Sequence, residues 1–369
     1  MQMDSTQHPA GITPPFPHGG NVWKLSRERG VNVSGWLDYS ANINPLGPPP
    51  WTAELLEQTL PLIHHYPDPE VRELTHAVAE TQDVADTQVV VGNGSTEILY
   101  ALRAALRPRR IVAPVPSYAD YVSIARDTDL DVLAPGLAEQ AGFIPDLQAL
   151  AGQVRDADLI FLGHPNNPTG VLLAPDAVKD LARMKPGTFF VIDESFIDFT
   201  RPGWSLIRER PGNMLILHSL TKFFAVPGLR LGYAVAEESI AERIRRQLPP
   251  WSVNTLAQAF GVRALRDHDY AASTRALVDA QRQGLMTELG AWPDVKVYPG
   301  AANFLLLRLM APAASAHALA TRLLQRNIMI RVCANMPGLD DRYIRIAVRG
   351  GQENRQLLDA MREALNVAT

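Results

Sequence analysis

The chain has 369 residues, of which 46% are hydrophobic and 20% charged, a balance that fits an ordinary globular protein with a substantial core. Its formal net charge is −4, from 35 basic and 39 acidic residues, which gives no reason to expect nucleic acid or an anionic membrane as a partner. The single cysteine, Cys333, excludes an intrachain disulfide and a cysteine metal cluster, so no metal is expected and a reducing cytoplasm is the simplest setting.

Residues 1–35 are rich in Pro, Gly and polar side chains and read as an irregular arm without the basic and apolar regions of a secretory signal. No apolar run approaches the length of a membrane span. Helix-like apolar spacing covers 52–61 and 69–81. QVVVG (88–92) is a short β-branched strand, and STEILYALRAAL (95–106) is a helix opened by Ser95 or Thr96. Strand-then-loop patterns follow at RRIVAPVPSY (109–118), ADLIFLGHPNNPTG (157–170), GTFFVIDESFIDF (187–199) and NMLILHSLTK (213–222). A helix over 177–184 interrupts them, and another strand covers 229–236. Residues 251–290 read as helical, and strands and helices after about 295 read as a smaller unit. The expectation is an α/β protein: an arm (1–35), a large domain around a mostly parallel sheet (36–250), then a linking helix and a small C-terminal α+β domain (251–369). Ligands of such sheets sit at the carboxyl ends of the strands.

Four loops at those ends carry chemistry, and each has two readings. GNGSTE (92–97) is an anion cradle before a helix, or Ser95 is simply an N-cap. HPNNPTG (164–170) presents the Asn167 amide inward, or is a structural Asn-Pro turn. In VIDESFIDF (191–199) Asp193 ends an apolar strand and needs a cationic or hydrogen-bonding partner, or is a helix cap; Glu194 and Asp198 read as ordinary polar residues. In HSLTKFFAVPGLRLG (218–232) Lys222 sits among apolar residues, where desolvation would lower its pKa and suit it to a nucleophile, unless it snorkels to solvent. Ser219, Thr221 and Arg230 flank it with donors suited to a phosphate.

The motifs NGSTE, PNNPTG, DESFIDF and SLTKFFAVPGLRLG together resemble the fold-type-I enzymes that use pyridoxal 5'-phosphate (PLP), in the branch holding histidinol-phosphate aminotransferases and threonine-phosphate decarboxylases. The resemblance spans essentially the whole chain. It implies that Lys222 holds PLP covalently, Asp193 pairs with the pyridine nitrogen, Asn167 meets the ring 3-oxygen and Tyr118 stacks on the ring. It further implies that Ser95, Thr96, Ser219, Thr221 and Arg230 hold the cofactor phosphate. Tyr66, in HHYPDPE, would reach that phosphate from a second subunit, so a homodimer with shared sites is implied.

Three features lean toward the decarboxylases: the arm HGGNVWKLSRERG with LDYSANINPLGPP, Phe196 where the aminotransferases carry Tyr, and the pair PPWSVN (249–254) and IRVCANMPGLDDRYIRIAVR (330–349). By resemblance Arg345 clamps the substrate carboxylate and Arg331 a substrate phosphate, with His18 and Asn42 assisting. The alternative for these arginines is a surface ion pair, and Arg349 could substitute for either. Cys333 reads as a small packing residue. The expected reaction is decarboxylation of L-threonine O-3-phosphate. Two alternatives stand beside it: a histidinol-phosphate-type aminotransferase using 2-oxoglutarate, and a non-catalytic partner protein of corrin assembly, which the intact set Lys222, Asp193, Asn167 and Arg345 argues against.

Overall fold

Alternation along the apolar strands builds the molecule outward from one buried sheet. The computed structural model describes residues 19–126, 128–310 and 315–365. Its strands are β1 (Leu37–Asp38), β2 (Val89–Gly92), β3 (Arg110–Val112), β4 (Asp131–Leu133), β5 (Asp158–Gly163), β6 (Phe189–Asp193), β7 (Met214–Ser219) and β8 (Gly232–Val235) in the first part. The second part adds β9 (Val295–Tyr298), β10 (Phe304–Leu309), β11 (Ile328–Met329), β12 (Arg331–Val332) and β13 (Tyr343–Ala347).

Seven strands form the central sheet in the order β2-β8-β7-β6-β5-β3-β4. All neighbouring pairs are parallel except those of β8, which runs antiparallel to both β2 and β7. Ile160, Leu162, Phe190, Ile192, Met214 and Ile216 enter one core cluster, while Leu159, Phe161, Val191, Leu215 and Leu217 enter another. Two-faced burial is why these strands read as continuous apolar runs, as expected of a parallel sheet covered by helices on both sides. The second sheet, β12-β13-β10-β9, is small and antiparallel, and β1 pairs in parallel with β11. The expected α/β class, with a mostly parallel central sheet and a smaller α+β portion near the C-terminus, is what the chain adopts.

Local expectations needed some correction. The segment read as an irregular arm contains a helix, Val22–Arg29, capped by the Asn21 side chain and closed by Gly30 in the left-handed region (φ 69°). Sequence reasoning missed it because the helix is polar and buries no residue. The run 251–290 is two helices, Thr255–Ala264 and His268–Gly290, the second begun by an Asp267 cap. The helix after β2 spans Ser95–Leu106 as expected, but its N-cap is Gly94 rather than a hydroxyl residue. No helix among the described residues is long and apolar enough to cross a membrane.

Candidate active site

The carboxyl ends of β5, β6 and β7 lie side by side, with Gly163 opposite Asp193 and Asp193 opposite Leu217. Lys222 follows β7 in a short helix, Leu220–Phe223. Its amine donates to Ser219 Oγ at 2.9 Å and stands 5.6 Å from the centre of the Phe196 ring. Burial lowers the Lys222 pKa to about 8; Asp193 opposes that shift and Arg230 adds to it. An amine so shifted keeps a useful neutral fraction near neutrality, the form that attacks a carbonyl.

Asp193 answers the question of its partner with two donors. Its Oδ2 accepts from the Tyr121 hydroxyl at 2.8 Å and its Oδ1 from the Ser195 amide at 2.9 Å. Burial, and then the charge of Asp193, push the Tyr121 hydroxyl far above its ordinary range, so it remains a donor. Tyr121 stacks on Phe161 at 5.1 Å, which fixes its ring. Tyr121 was not singled out from sequence, although PSYADY places it three residues beyond Tyr118, on the same face of a helical turn.

Gly94 shapes the phosphate end. It adopts φ 82°, and a Cβ there would lie 2.5 Å from Arg230 Nη2, so only glycine lets the guanidinium close over the first turn of the Ser95–Leu106 helix. Having no side chain, Gly94 leaves the first-turn amides to an anion. Ser95, Thr96, Tyr118, Asn167, Asp193 and Lys222 surround a cavity of about 80 Å³. The hydroxyl and amide donors, the Asp193 carboxylate and the Lys222 amine around this cavity fit PLP.

A second cavity, about 180 Å³, adjoins the first and shares Tyr118, Asn167, Phe196 and Lys222 with it. Asn42, Arg331 and Arg345 line it. Arg345 is buried and donates to Asn167 Oδ1 and to the Ser40 carbonyl, both at 2.6 Å. Burial lowers its pKa to about 10. Arg331, also buried, donates to the Val332 carbonyl at 2.7 Å and to Asn335 Oδ1 at 2.8 Å. Asn42 Oδ1 and Arg345 Nε are buried without a hydrogen-bond partner among the described residues. Unmet polar atoms at a cavity wall are where a polar ligand gains most.

The structure thus gathers most of the expected residues, with exceptions. Ser219, Thr221 and Arg230 do not line either cavity; the Ser219 and Thr221 hydroxyls bond each other at 2.9 Å, and that of Ser219 accepts from the Lys222 amine. Tyr66, expected to serve a second subunit's site rather than its own chain's, is 81% exposed, its ring 5.0 Å from that of Trp251. His18 lies outside the described residues. Arg349 pairs with Glu353 instead of entering the site. Cys333 is fully buried and its thiol is pushed up to about 11, chiefly by burial, consistent with a packing role. Glu194 is not an ordinary polar residue: it is fully buried, accepts from the Ser205 hydroxyl and the Leu206 amide, and pairs with His218 Nε2 at 2.8 Å. That pairing was invisible locally because the partner stands on the next strand.

The sequence model for aminotransferase class I and II matches residues 34–361. A threonine-phosphate decarboxylase from Salmonella typhimurium is 37% identical over 353 residues, covering 94% of this chain and 96% of the relative. Among solved structures, the histidinol-phosphate aminotransferase from Clostridium acetobutylicum is similar with a TM-score of 0.83 and 32% identity, covering 89% of this chain and 99% of that one. The L-threonine-O-3-phosphate decarboxylase from Porphyromonas gingivalis gives a TM-score of 0.79 and 28% identity over the same shares of the two chains. The chain therefore belongs to the aminotransferase class I and II family.

Proposed function

We propose that the protein is a PLP-dependent lyase that decarboxylates L-threonine O-3-phosphate to (R)-1-amino-2-propanol O-phosphate and carbon dioxide, in cobalamin biosynthesis. The observation that carries this reading is the meeting of Lys222 with two buried arginines, Arg331 and Arg345, around one cavity. A substrate with a carboxylate at one end and a phosphate at the other matches two such guanidinium groups. The kinship to the Salmonella decarboxylase over nearly the whole chain supports the same assignment.

PLP, when bound, withdraws electrons from the substrate carbon beside the amine. The protein's own residues do the rest. Asp193, which accepts from the Tyr121 hydroxyl and the Ser195 amide, would pair with the pyridine nitrogen and keep a proton there. Ser95 and Thr96, with Arg230 beside Gly94, would hold the cofactor phosphate, and Tyr118 and Asn167 would flank the ring. Arg345 holds the carboxylate that leaves, Arg331 and Asn42 the phosphate. Loss of carbon dioxide leaves an electron pair on the carbon. Lys222 Nζ is the group placed to deliver the single proton that replaces the carboxylate.

A second copy of the chain completes the assembly in this reading. Trp251 and Val253 line a surface groove of about 890 Å³, and exposed Tyr66 lies against Trp251. A partner subunit covering that groove would bury Tyr66 and bring it to the partner's phosphate cup. The single buried cysteine fits a cytoplasmic protein.

The test is direct. Purified protein with PLP and O-phosphothreonine should release carbon dioxide and the amine phosphate equally with and without 2-oxoglutarate. No release, but glutamate formed from histidinol phosphate and 2-oxoglutarate, would establish the aminotransferase reading that the fold similarity to the Clostridium enzyme also favours.

A further inference from the structure

The N-terminal segment meets the carboxylate-binding arginine through one residue, Ser40. The Ser40 hydroxyl accepts from the Gly20 amide at 2.8 Å and donates to Asp38 Oδ1 at 2.6 Å. The same Asp38 oxygen accepts the amides of Ser40 at 2.8 Å and of Ala41 at 3.2 Å, so the turn is fixed at three points. The Ser40 carbonyl accepts from Arg345 Nη2 at 2.6 Å. Gly19 is pressed against that carbonyl: a Cβ at position 19 would lie 2.1 Å from Ser40 O and 2.7 Å from its carbonyl carbon. Gly19 and Arg345 both line the second cavity. Ser40 therefore touches both the N-terminal segment and the arginine: its carbonyl packs against Gly19 and accepts from Arg345, and its hydroxyl accepts from Gly20.

We infer that Gly19, Gly20 and Ser40 are positioning residues through which docking of the N-terminal segment sets the orientation of Arg345 for the substrate carboxylate. The inference rests on the proposed role of Arg345. The guanidinium has two protein acceptors, Asn167 Oδ1 and the Ser40 carbonyl, which fix its plane. A planar fork recognises a carboxylate only when its plane is held. Displacing the Ser40 carbonyl releases one of those two restraints. The Ser40 hydroxyl couples this to the segment, because it is oriented as donor to Asp38 and can therefore accept from Gly20. Coupling of this kind is reciprocal: what the segment does to Arg345, Arg345 does to the segment.

Two measurements on the PLP-loaded enzyme test it. The first compares Gly19→Ala and Ser40→Ala with the wild type in affinity for O-phosphothreonine and for its amine product, which keeps the phosphate and lacks the carboxylate. Both variants should weaken the amino acid, Gly19→Ala by about tenfold, and leave the amine within about twofold. Ser40→Ala keeps the carbonyl and adds no bulk, so it covers the case in which Gly19→Ala fails to fold. Equal weakening of both ligands, or of neither, overturns the inference. The second measurement uses no substrate: amide hydrogen exchange at Gly20 should be faster in Arg345→Lys than in the wild type, with exchange in β7 unchanged. Unaltered exchange at Gly20 overturns the inference as well. If the wild type releases no carbon dioxide from O-phosphothreonine, the functional reading fails while the exchange result still decides the coupling.

Discussion

Arg331 and Arg345 stand directly opposite each other on neighbouring antiparallel strands, β12 and β13. Like charges in that position destabilise a sheet, and both side chains are buried. Burial, with a contribution from Arg331, lowers the Arg345 pKa to about 10. Two cations so placed are costly without an anionic ligand, so the arrangement reads as a binding device. Losing one charged hydrogen-bonding partner costs about 1.5–3 kcal/mol, or roughly 10- to 150-fold in affinity. Arg331→Ala should therefore weaken competitive inhibition by inorganic phosphate by at least about tenfold. Arg345→Ala should leave phosphate inhibition nearly intact while lowering kcat/KM for O-phosphothreonine by about 100-fold or more. If both variants lose phosphate and substrate in parallel, the division of labour is wrong.

The lowered pKa of Lys222 gives a pH dependence with a definite sign. The ordinary lysine value is 10.5 and the folded value about 8, because burial penalises the charged form first of all. Only the neutral amine captures a carbonyl. The rate of covalent PLP capture by apoenzyme should rise with pH and level off above about 8, far below the range of an exposed lysine. The same shift stabilises the apo fold as pH rises from about 8 toward 10.5, where the unfolded chain holds the proton and the folded chain does not. Lys222→Ala should remove the capture step and abolish turnover. A capture rate still climbing steeply at pH 9.5 would show that Lys222 is solvated in solution.

Much of this was legible because strand and site chemistry are local in sequence. The apolar runs ending at Gly163, Asp193 and Ser219 announce a buried parallel sheet, and the polar residues that follow each run sit at its carboxyl edge. The order of the loops gave the family. What stayed hidden depends on pairs far apart in the chain. Tyr121 belongs to the site because it reaches Asp193, 72 residues away. Ser40 matters because its carbonyl meets Arg345, 305 residues away. Glu194 looked like an ordinary carboxylate because His218 comes 24 residues later. The Val22–Arg29 helix was missed for another reason: it is set by its caps rather than by an apolar face.

The Glu194–His218 pair makes a stability prediction. His218 continues the alternation of Met214 and Ile216 along β7, and its ring stacks on Tyr233 at 4.9 Å. Burial lowers the His218 pKa, but the hydrogen bond and charge of Glu194 outweigh it, and the net shift is upward from 6.5. A raised histidine contributes stability that is complete below the unfolded value of 6.5 and is lost as pH rises through the higher folded value. The loss of stability in His218→Asn, measured by urea unfolding, should therefore be larger at pH 6 than at pH 9. Glu194→Gln should cost about 3–5 kcal/mol near pH 6, as removal of one partner from a buried ion pair does. A penalty for His218→Asn that is the same at both pH values would mean the pair is neutral throughout.

Phe196 tests where the cofactor ring stands. Its ring packs edge-on against Phe304 at 5.0 Å, lies 5.6 Å from the Lys222 amine and lines both cavities. A phenyl group there offers no hydrogen bond, which leaves Asn167 as the polar neighbour expected for the ring 3-oxygen. Asn167 Oδ1 is already engaged by Arg345, so its amide nitrogen is the end that can donate. Adding a hydroxyl in Phe196→Tyr should place a second donor at that oxygen and stabilise its ionised form. The visible absorption titration of bound PLP should then shift to lower pH, by about half a unit to one unit, a size set by one hydrogen bond of about 0.5–1.5 kcal/mol. Asn167→Ala should shift the same titration to higher pH, and the double variant should fall between the two. A titration that Phe196→Tyr leaves unmoved would mean that position 196 does not face the ring, and that the cofactor is seated deeper in the first cavity than the placement of Asp193 and Asn167 implies.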